Sequence, residues 1–280
     1  MTQSPEEIKT IVREKYAVIA GQSREQNASS CCGAGGCGDS TYTIFSEDYS
    51  GQAGYNPSAD LGLGCGLPLS SLALKPGETV LDLGSGAGND AFVARAAVGD
   101  SGHVIGVDFT EAMIEKARLN AENLGYKNVE FRQGDIEHLP VGPARIDVVT
   151  SNCVLNLVPD KTRAFSEIFR VLKPGGRFSI SDVVLDGVLP DNVKNAAEMI
   201  AGCVSGAMQM SEYLSVIHRA GFDAVNVTKE RVIDVPDSIL EQYISKEEIA
   251  SLRNSGATVK SITVTAVKPA GSCGCGTDCC

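Results

Sequence analysis

Thr79-Val80-Leu81-Asp82-Leu83-Gly84-Ser85-Gly86-Ala87-Gly88-Asn89-Asp90 decides how the rest of the chain is read. It predicts an apolar strand, a turn of small residues and a helix starting near Asp90. Glycines at 84, 86 and 88 let the backbone bend tightly and approach a ligand without interference from Cβ. The first N–H groups of the following helix are free to point at that ligand. Further on, His103-Val104-Ile105-Gly106-Val107-Asp108 predicts a second strand ending in an acid. An acid at that tip is placed to accept both ribose hydroxyls of a nucleoside. The dinucleotide fingerprint wants its last glycine at position 89, where this chain has Asn89. That departure favours a nucleoside ligand without a pyrophosphate. Gly134-Asp135-Ile136-Glu137, after a third predicted strand, completes the pattern.

The chain has 280 residues, enough for one large domain or a domain with an appendage. With 43% hydrophobic residues, 5% aromatic and no Trp, its core is built mainly of aliphatics. A net charge of -11 argues against nucleic acid and against an anionic membrane surface, both of which call for a basic face. No apolar run is long enough to span a bilayer. Met1-Thr2-Gln3-Ser4-Pro5-Glu6-Glu7 has neither the basic start nor the apolar run of a secretory signal. A cytoplasmic monomer is expected. Ten cysteines in a reducing compartment point to soft-ligand binding or redox chemistry rather than a disulfide framework.

Ser4-Pro5-Glu6-Glu7 opens a helix, with Ser4 as N-cap, and the helical stripe runs to Ala20. Periodicity is then lost from Gly21 to Ser40, around a loop carrying Cys31, Cys32 and Cys37. Turns continue through Leu61-Gly62-Leu63-Gly64-Cys65-Gly66-Leu67-Pro68, whose glycines predict an exposed, flexible Cys65. From 71 to about 183 strands and helices alternate, as in a parallel sheet covered on both faces. Strands are expected at 79–83, 103–107, 129–132, 146–150 and 177–184. Thr110 is expected to cap a helix running to Leu124, with Met113, Ile114 and Ala117 on one face. Another helix, from Thr162 to Leu172, is expected to stop at Lys173-Pro174-Gly175-Gly176. Residues 185–210 interrupt the alternation. A helix at 211–220 and strands near 224–229 and 261–267 close the chain, with a mostly helical segment at 234–258 between them. The tail, with Cys273, Cys275, Cys279 and Cys280, is too short and glycine-rich to pack.

Ligands of an open parallel sheet sit over the carboxyl ends of its strands, and Cys153 lies just past the fourth. A substrate that must lose a proton would need a base, and of His103, His138 and His218 only His138 is near that edge. The substrate is therefore expected to need none.

The glycine turn, Asp108 and Gly134–Glu137 together resemble the S-adenosylmethionine-dependent methyltransferases of the Rossmann-like class I fold. Leu63-Gly64-Cys65-Gly66, Ser151-Asn152-Cys153-Val154-Leu155-Asn156-Leu157 and Gly202-Cys203-Val204-Ser205-Gly206-Ala207 resemble, more narrowly, the cysteine signatures of arsenite methyltransferases. The match runs from about residue 30 to 225, with Cys37 as the counterpart of the family's first cysteine, although Cys31 and Cys32 also qualify. The resemblance implies an α/β fold with a seven-stranded, mostly parallel sheet and helices on both faces. It divides the chain into an N-terminal cysteine-loop lid (1–70), a cofactor domain (71–184), an acceptor-binding insertion with closing strands (185–269) and a cysteine tail (270–280). Cofactor contacts are implied for Asp82, Gly84, Ser85, Gly86, Gly88, Asp108, Met113, Asp135, Ile136, Glu137 and Asn152. Cys37, Cys65, Cys153 and Cys203 are implied as catalytic arsenic ligands.

The chemistry agrees. Trivalent arsenic is soft and thiophilic, so thiolates are its natural ligands. Held by sulfur it keeps a lone pair that can attack a sulfonium methyl without a base. A cysteine pair can return pentavalent arsenic to the trivalent state, and an external thiol system, thioredoxin or glutathione, would reduce the resulting disulfide. The tail thiols read as an accessory metalloid trap or a zinc site. Two other functions fit parts of the sequence: a carbon methyltransferase acting on a quinone or sterol, and a thiol-rich metalloid-sequestering protein.

Overall fold

The computed structural model describes residues 4–29, 47–187, 207–234, 237–241 and 244–271. The expectations for Cys31, Cys32, Cys37, Cys203 and the tail cysteines lie outside those residues. Seven strands form one sheet: β1 (Thr79–Leu83), β2 (His103–Asp108), β3 (Val129–Gln133), β4 (Ile146–Asn152), β5 (Leu172–Asp186), β6 (Asp223–Ile233) and β7 (Thr258–Val267). Their order is β3-β2-β1-β4-β5-β7-β6. The first five pair in parallel, while β7 runs antiparallel between β5 and β6. The sheet is continuous across residue 184, which falls inside β5.

The described helices are α1 (Pro5–Ala20), α2 (Arg24–Ser29), α3 (Asn89–Val98), α4 (Glu111–Asn123), α5 (Lys161–Val171), α6 (Met210–Arg219), α7 (Asp237–Leu240) and α8 (Lys246–Ser255). None of them is long and apolar enough to cross a membrane. Alternation along the strands divides the core into two layers. Leu81 and Leu83 face the layer built with Phe165 and Ile168 of α5 and Tyr213 and Ile217 of α6. Val80 and Val148 face the other, built with Phe92 of α3 and Met113 and Ile114 of α4. Burial on both faces explains why the central strands are mostly apolar rather than alternating.

Several boundaries moved. β4 continues through Ser151 and Asn152, because both stay paired with neighbouring strands. α5 stops at Val171, as expected, and Lys173-Pro174-Gly175-Gly176 already belongs to β5. It occupies a register shift opposite β4, and Gly175 and Gly176 exchange backbone hydrogen bonds with Lys268 instead. β6 and β7 are longer than expected because each is the other's antiparallel partner. Thr110 stands at the N-cap of α4 but makes no side-chain cap bond. Its backbone N–H donates to Asp108 Oδ1 at 2.8 Å.

The α1 helix forms the capping box expected of Ser4 and Glu7, and is fastened to the sheet edge by charge. Lys9 Nζ donates to Asp135 at 2.7 Å and to Glu137 at 2.5 Å. Arg13 stacks over Phe109, and Lys116 of α4 donates to the carbonyls of Ala20 and Gln22. Lys9→Ala removes two hydrogen bonds between half-buried charged groups. It should lower stability by about 2 kcal/mol in urea unfolding, from about 1.5–3 kcal/mol for a bond to a charged group. An unchanged midpoint would show that the Lys9 bonds add nothing to the attachment of α1.

Candidate functional site

Strand order reverses between β1 and β4, and a cleft opens over their carboxyl ends, where open α/β sheets bind ligands. It holds about 1100 Å3 of empty space, its open mouth included. Gly84, at φ +65°, turns the chain from β1 toward α3, and a Cβ there would sit 2.4 Å from the Val154 side chain. The turn is thus pressed against the segment that carries Cys153. The Gly86 N–H donates to Asp108 Oδ2 at 2.9 Å, tying the first turn to the tip of β2. Asp108 retains further lone pairs for a ligand, and burial raises its pKa.

Of the residues expected to contact a cofactor, Gly84, Ser85, Gly86, Asp108, Met113, Asp135, Ile136 and Asn152 line the cleft. Asp82, Gly88 and Glu137 do not. Gly88 is the left-handed N-cap of α3, packed on Phe92 and Phe131. Glu137 accepts from Lys9 and from the Asp160 N–H, so it fastens α1 and the start of α5. Asp82 is buried beneath the turn, and its Oδ2 has no hydrogen-bond partner among the described residues. Burial, and then the charges of Asp90 and Asp108, push its pKa well above the usual carboxylate range.

Those charges give the cleft its character. Asp60, Asp90, Asp108 and Asp135 line it, while Lys9, the one lysine or arginine that lines it among the described residues, is already paired. Burial brings Asp90 up to about 6. A buried acidic wall, with the orphaned Asp82 oxygen behind it, fits a ligand that brings positive charge. S-adenosylmethionine, with a sulfonium and an ammonium against one carboxylate, is such a ligand.

The structure brings two thiols to this edge. Cys153 follows β4 directly, lines the cleft and holds φ +61°, a strained value for a residue with a Cβ. Its N–H donates to the Ser181 carbonyl at 2.7 Å. Cys65 is not on exposed, flexible backbone, as its glycines suggested; it is fully buried. Its N–H donates to Asn152 Oδ1, its carbonyl accepts from Ser261 Oγ at 2.7 Å, and the Pro68 carbonyl accepts from Ser179 Oγ. Gly64 and Gly66 serve close approach instead of freedom: a Cβ on either would come within 2.5 Å of Asn152 or Ser181. Among the described residues no three of His, Cys, Asp and Glu are grouped as a metal site requires.

Beneath the thiols lies a buried pair that the sequence reading missed. Tyr213 of α6 donates to Asp182 Oδ2 of β5 at 3.0 Å. Burial, then the Asp182 charge, then Cys65 and Cys153, hold the phenol well above its ordinary pKa. Burial also lifts Asp182 to about 7, against the pull of Lys161. The signal was a carboxylate directly before the apolar run Val183-Val184-Leu185. Tyr49 and Asp90, which also meet at the cleft, left none beyond the Asp at the start of a helix. None of the three histidines lines the cleft; His138 is exposed, and His103 pairs with Glu130 at the far edge.

A methyltransferase-domain family matches residues 74–221. The chain is 43% identical to an arsenite methyltransferase of Halobacterium salinarum, over 96% of this chain and 68% of that protein. It is 33% identical to an arsenite methyltransferase of Aquipseudomonas alcaligenes, over 92% and 73%. Among solved structures, CrArsM of Chlamydomonas reinhardtii, an arsenic(III) S-adenosylmethionine methyltransferase, superposes with a TM-score of 0.64. That match has 36% identity and covers 74% of this chain and 68% of the other.

The elevated pKa of Asp182 has a measurable consequence. The fold favours the protonated acid, so its contribution to stability is full below the ordinary value of 3.8 and is lost as pH rises through about 7. Asp182→Asn stays neutral throughout. Its melting temperature should fall less steeply than the wild type's between roughly pH 5 and pH 7. Parallel curves would mean that Asp182 is already ionised in the fold at the lower pH.

Proposed function

The chain belongs to the arsenite methyltransferase family, and from that premise we propose how its own residues move a methyl group from S-adenosylmethionine to trivalent arsenic. Identity to the arsenite methyltransferases extends over nearly the whole chain, which favours this function over a quinone or sterol methyltransferase. The acidic nucleotide-type cleft speaks against a protein that only sequesters metalloid.

When bound, the cofactor supplies an electrophilic methyl group on a sulfonium. Gly84, Ser85 and Gly86 leave backbone room for it, Asp108 offers acceptors for ribose hydroxyls, and Met113, Asp135 and Ile136 form the adjoining wall. The acidic residues around Asp90 favour its positive charge. Arsenic is held by thiolates, Cys153 on the cleft wall and Cys65 on the pinned segment beside it. Cys203 and Cys37 complete the set proposed from the sequence, Cys153 with Cys203 as the permanent pair. Cys37 and Cys65 supply the third ligand to arsenite and the reducing partner. Methylation takes arsenic formally from the trivalent to the pentavalent state. Two thiolates return the two electrons by forming a disulfide, which a thioredoxin or glutathione system reduces. An arsenic lone pair needs no base, in keeping with a cleft that no histidine lines. A cytoplasmic monomer that detoxifies arsenic is the setting this chemistry suits.

Cys153 carries the reading, because it is at once on the wall of the cofactor cleft and next to the segment that holds Cys65. Purified protein with S-adenosylmethionine, a thiol and arsenite should yield methylated arsenic, identified by mass spectrometry. Cys153→Ser or Cys203→Ser should stop methylation of both arsenite and methylarsenite while sparing cofactor binding. By contrast, Cys65→Ser or Cys37→Ser should abolish only the reaction with arsenite, since methylarsenite takes one thiolate fewer. A Cys153→Ser enzyme that works at near the wild-type rate would refute the arsenic site.

Asp108→Ala should weaken S-adenosylmethionine binding by about tenfold or more, as expected for losing hydrogen bonds to a charged group. Unchanged affinity by calorimetry would show that the ribose lies elsewhere.

A further inference from the structure

Asn152 ends β4 and lines the cleft, the position that suggested a cofactor contact. Its amide is engaged by this chain on every side. Oδ1 accepts from the backbone N–H of Cys65 at 3.0 Å and of Gly66 at 3.3 Å. Nδ2 donates to the Gly66 carbonyl at 2.8 Å and to the Tyr49 hydroxyl at 2.5 Å, with Asp90 Oδ2 at 3.3 Å. An amide has two donor hydrogens and two acceptor lone pairs, so this set fills it. The Tyr49 hydroxyl, itself buried, lies 2.7 Å from Asp90 Oδ1 and 3.1 Å from the Gly66 carbonyl.

Four segments meet in these contacts: the tip of β4, the first turn of α3 through Asp90, the segment bearing Tyr49 and the segment bearing Cys65. The segment also sits too close to Asn152 for Gly64 to carry a side chain. Cys153 is the next residue along from Asn152, so whatever holds Cys65 to Asn152 sets the separation of the two thiols. We propose that Asn152, supported by Tyr49 and Asp90, is a positioning residue that clamps Cys65 beside Cys153 and thereby sets the affinity for arsenic, not for the cofactor. The proposal rests on the reading of Cys65 and Cys153 as arsenic ligands. Arsenic geometry is demanding, because each sulfur must lie at bonding distance from one atom, and a displaced thiol is a lost ligand.

Two measurements test it. Alkylation of Cys65 by iodoacetamide, followed by peptide mapping in protein free of arsenic, reads the clamp directly. Buried Cys65 should react slowly in the wild type, and Asn152→Ala should speed the reaction by about tenfold or more, as release of a local contact exposes the thiol. Tyr49→Phe keeps the ring and removes one partner, and should fall between them. Steady-state kinetics and calorimetry read the consequence: Asn152→Ala should raise the KM for arsenite about tenfold and leave the dissociation constant of S-adenosylhomocysteine within about twofold. Cys65 protected as in the wild type, or S-adenosylhomocysteine weakened as much as arsenite, would overturn the proposal. If Asn152→Ala does not fold by circular dichroism, Tyr49→Phe carries the test, and wild-type protection of Cys65 in that variant is the overturning result. A wild-type protein without arsenite turnover would defeat the functional reading, while the alkylation rates would still decide whether the clamp exists.

Discussion

Parallel pairing of β1 with β4 is the constraint from which the site follows. Val80, Leu81, Asp82 and Leu83 lie beside Val148, Val149, Thr150 and Ser151, and from this seam the chain winds outward in both directions. Because the crossovers diverge here, the loops that leave β1 and β4 face one another across a gap. One loop carries the glycine turn and the other carries Asn152 and Cys153. Val154 pressed against Gly84 shows how little room separates them. Methyl donor and thiol meet because two neighbouring strands end side by side.

Burying polar groups at that seam is costly, and the structure offsets the cost in two ways. Three buried serine hydroxyls are satisfied by backbone carbonyls: Ser151 donates to Leu83, Ser179 to Pro68, and Ser261 to Cys65. These serines and their neighbours also hold an irregular segment flat on β5 and β7, which makes Cys65 part of the core. The acids are treated differently. Asp82 and Asp182 are buried without full compensation, and both favour the proton. Such sites cost stability, and they persist where a ligand or a reaction uses them. Asp82 lies behind a cleft suited to a cation, and Asp182 lies beneath the thiols through Tyr213.

Much of this was legible in the sequence because it depends on neighbours in the chain. The capping box at Ser4, the glycine turn after β1, the acid at the end of β2 and the alternation from 71 to 183 are local patterns, and each is set by backbone sterics or by burial period. Two closing strands near 224–229 and 261–267 were legible for the same reason. Cysteine signatures gave the chemistry, since soft metal ligation depends on residue type.

Tertiary contact decided what those local signals could not. Glycines flanking Cys65 read as flexibility, yet they are small because Asn152 and Ser181 press against them from distant strands. Glu137 and Asp135 sit in one turn, but only the arrival of Lys9 from α1 makes Glu137 a fastening and leaves Asp135 on the cleft wall. Tyr49, Asp90 and Asn152 are far apart in sequence and carry no shared motif, so their hydrogen bonds exist only after the sheet has formed. Residue type and spacing therefore determined the fold and the chemistry of this protein. Which thiol is buried, which acid is orphaned and which amide is engaged were decided by packing, because burial and hydrogen-bond satisfaction depend on every element that surrounds a group.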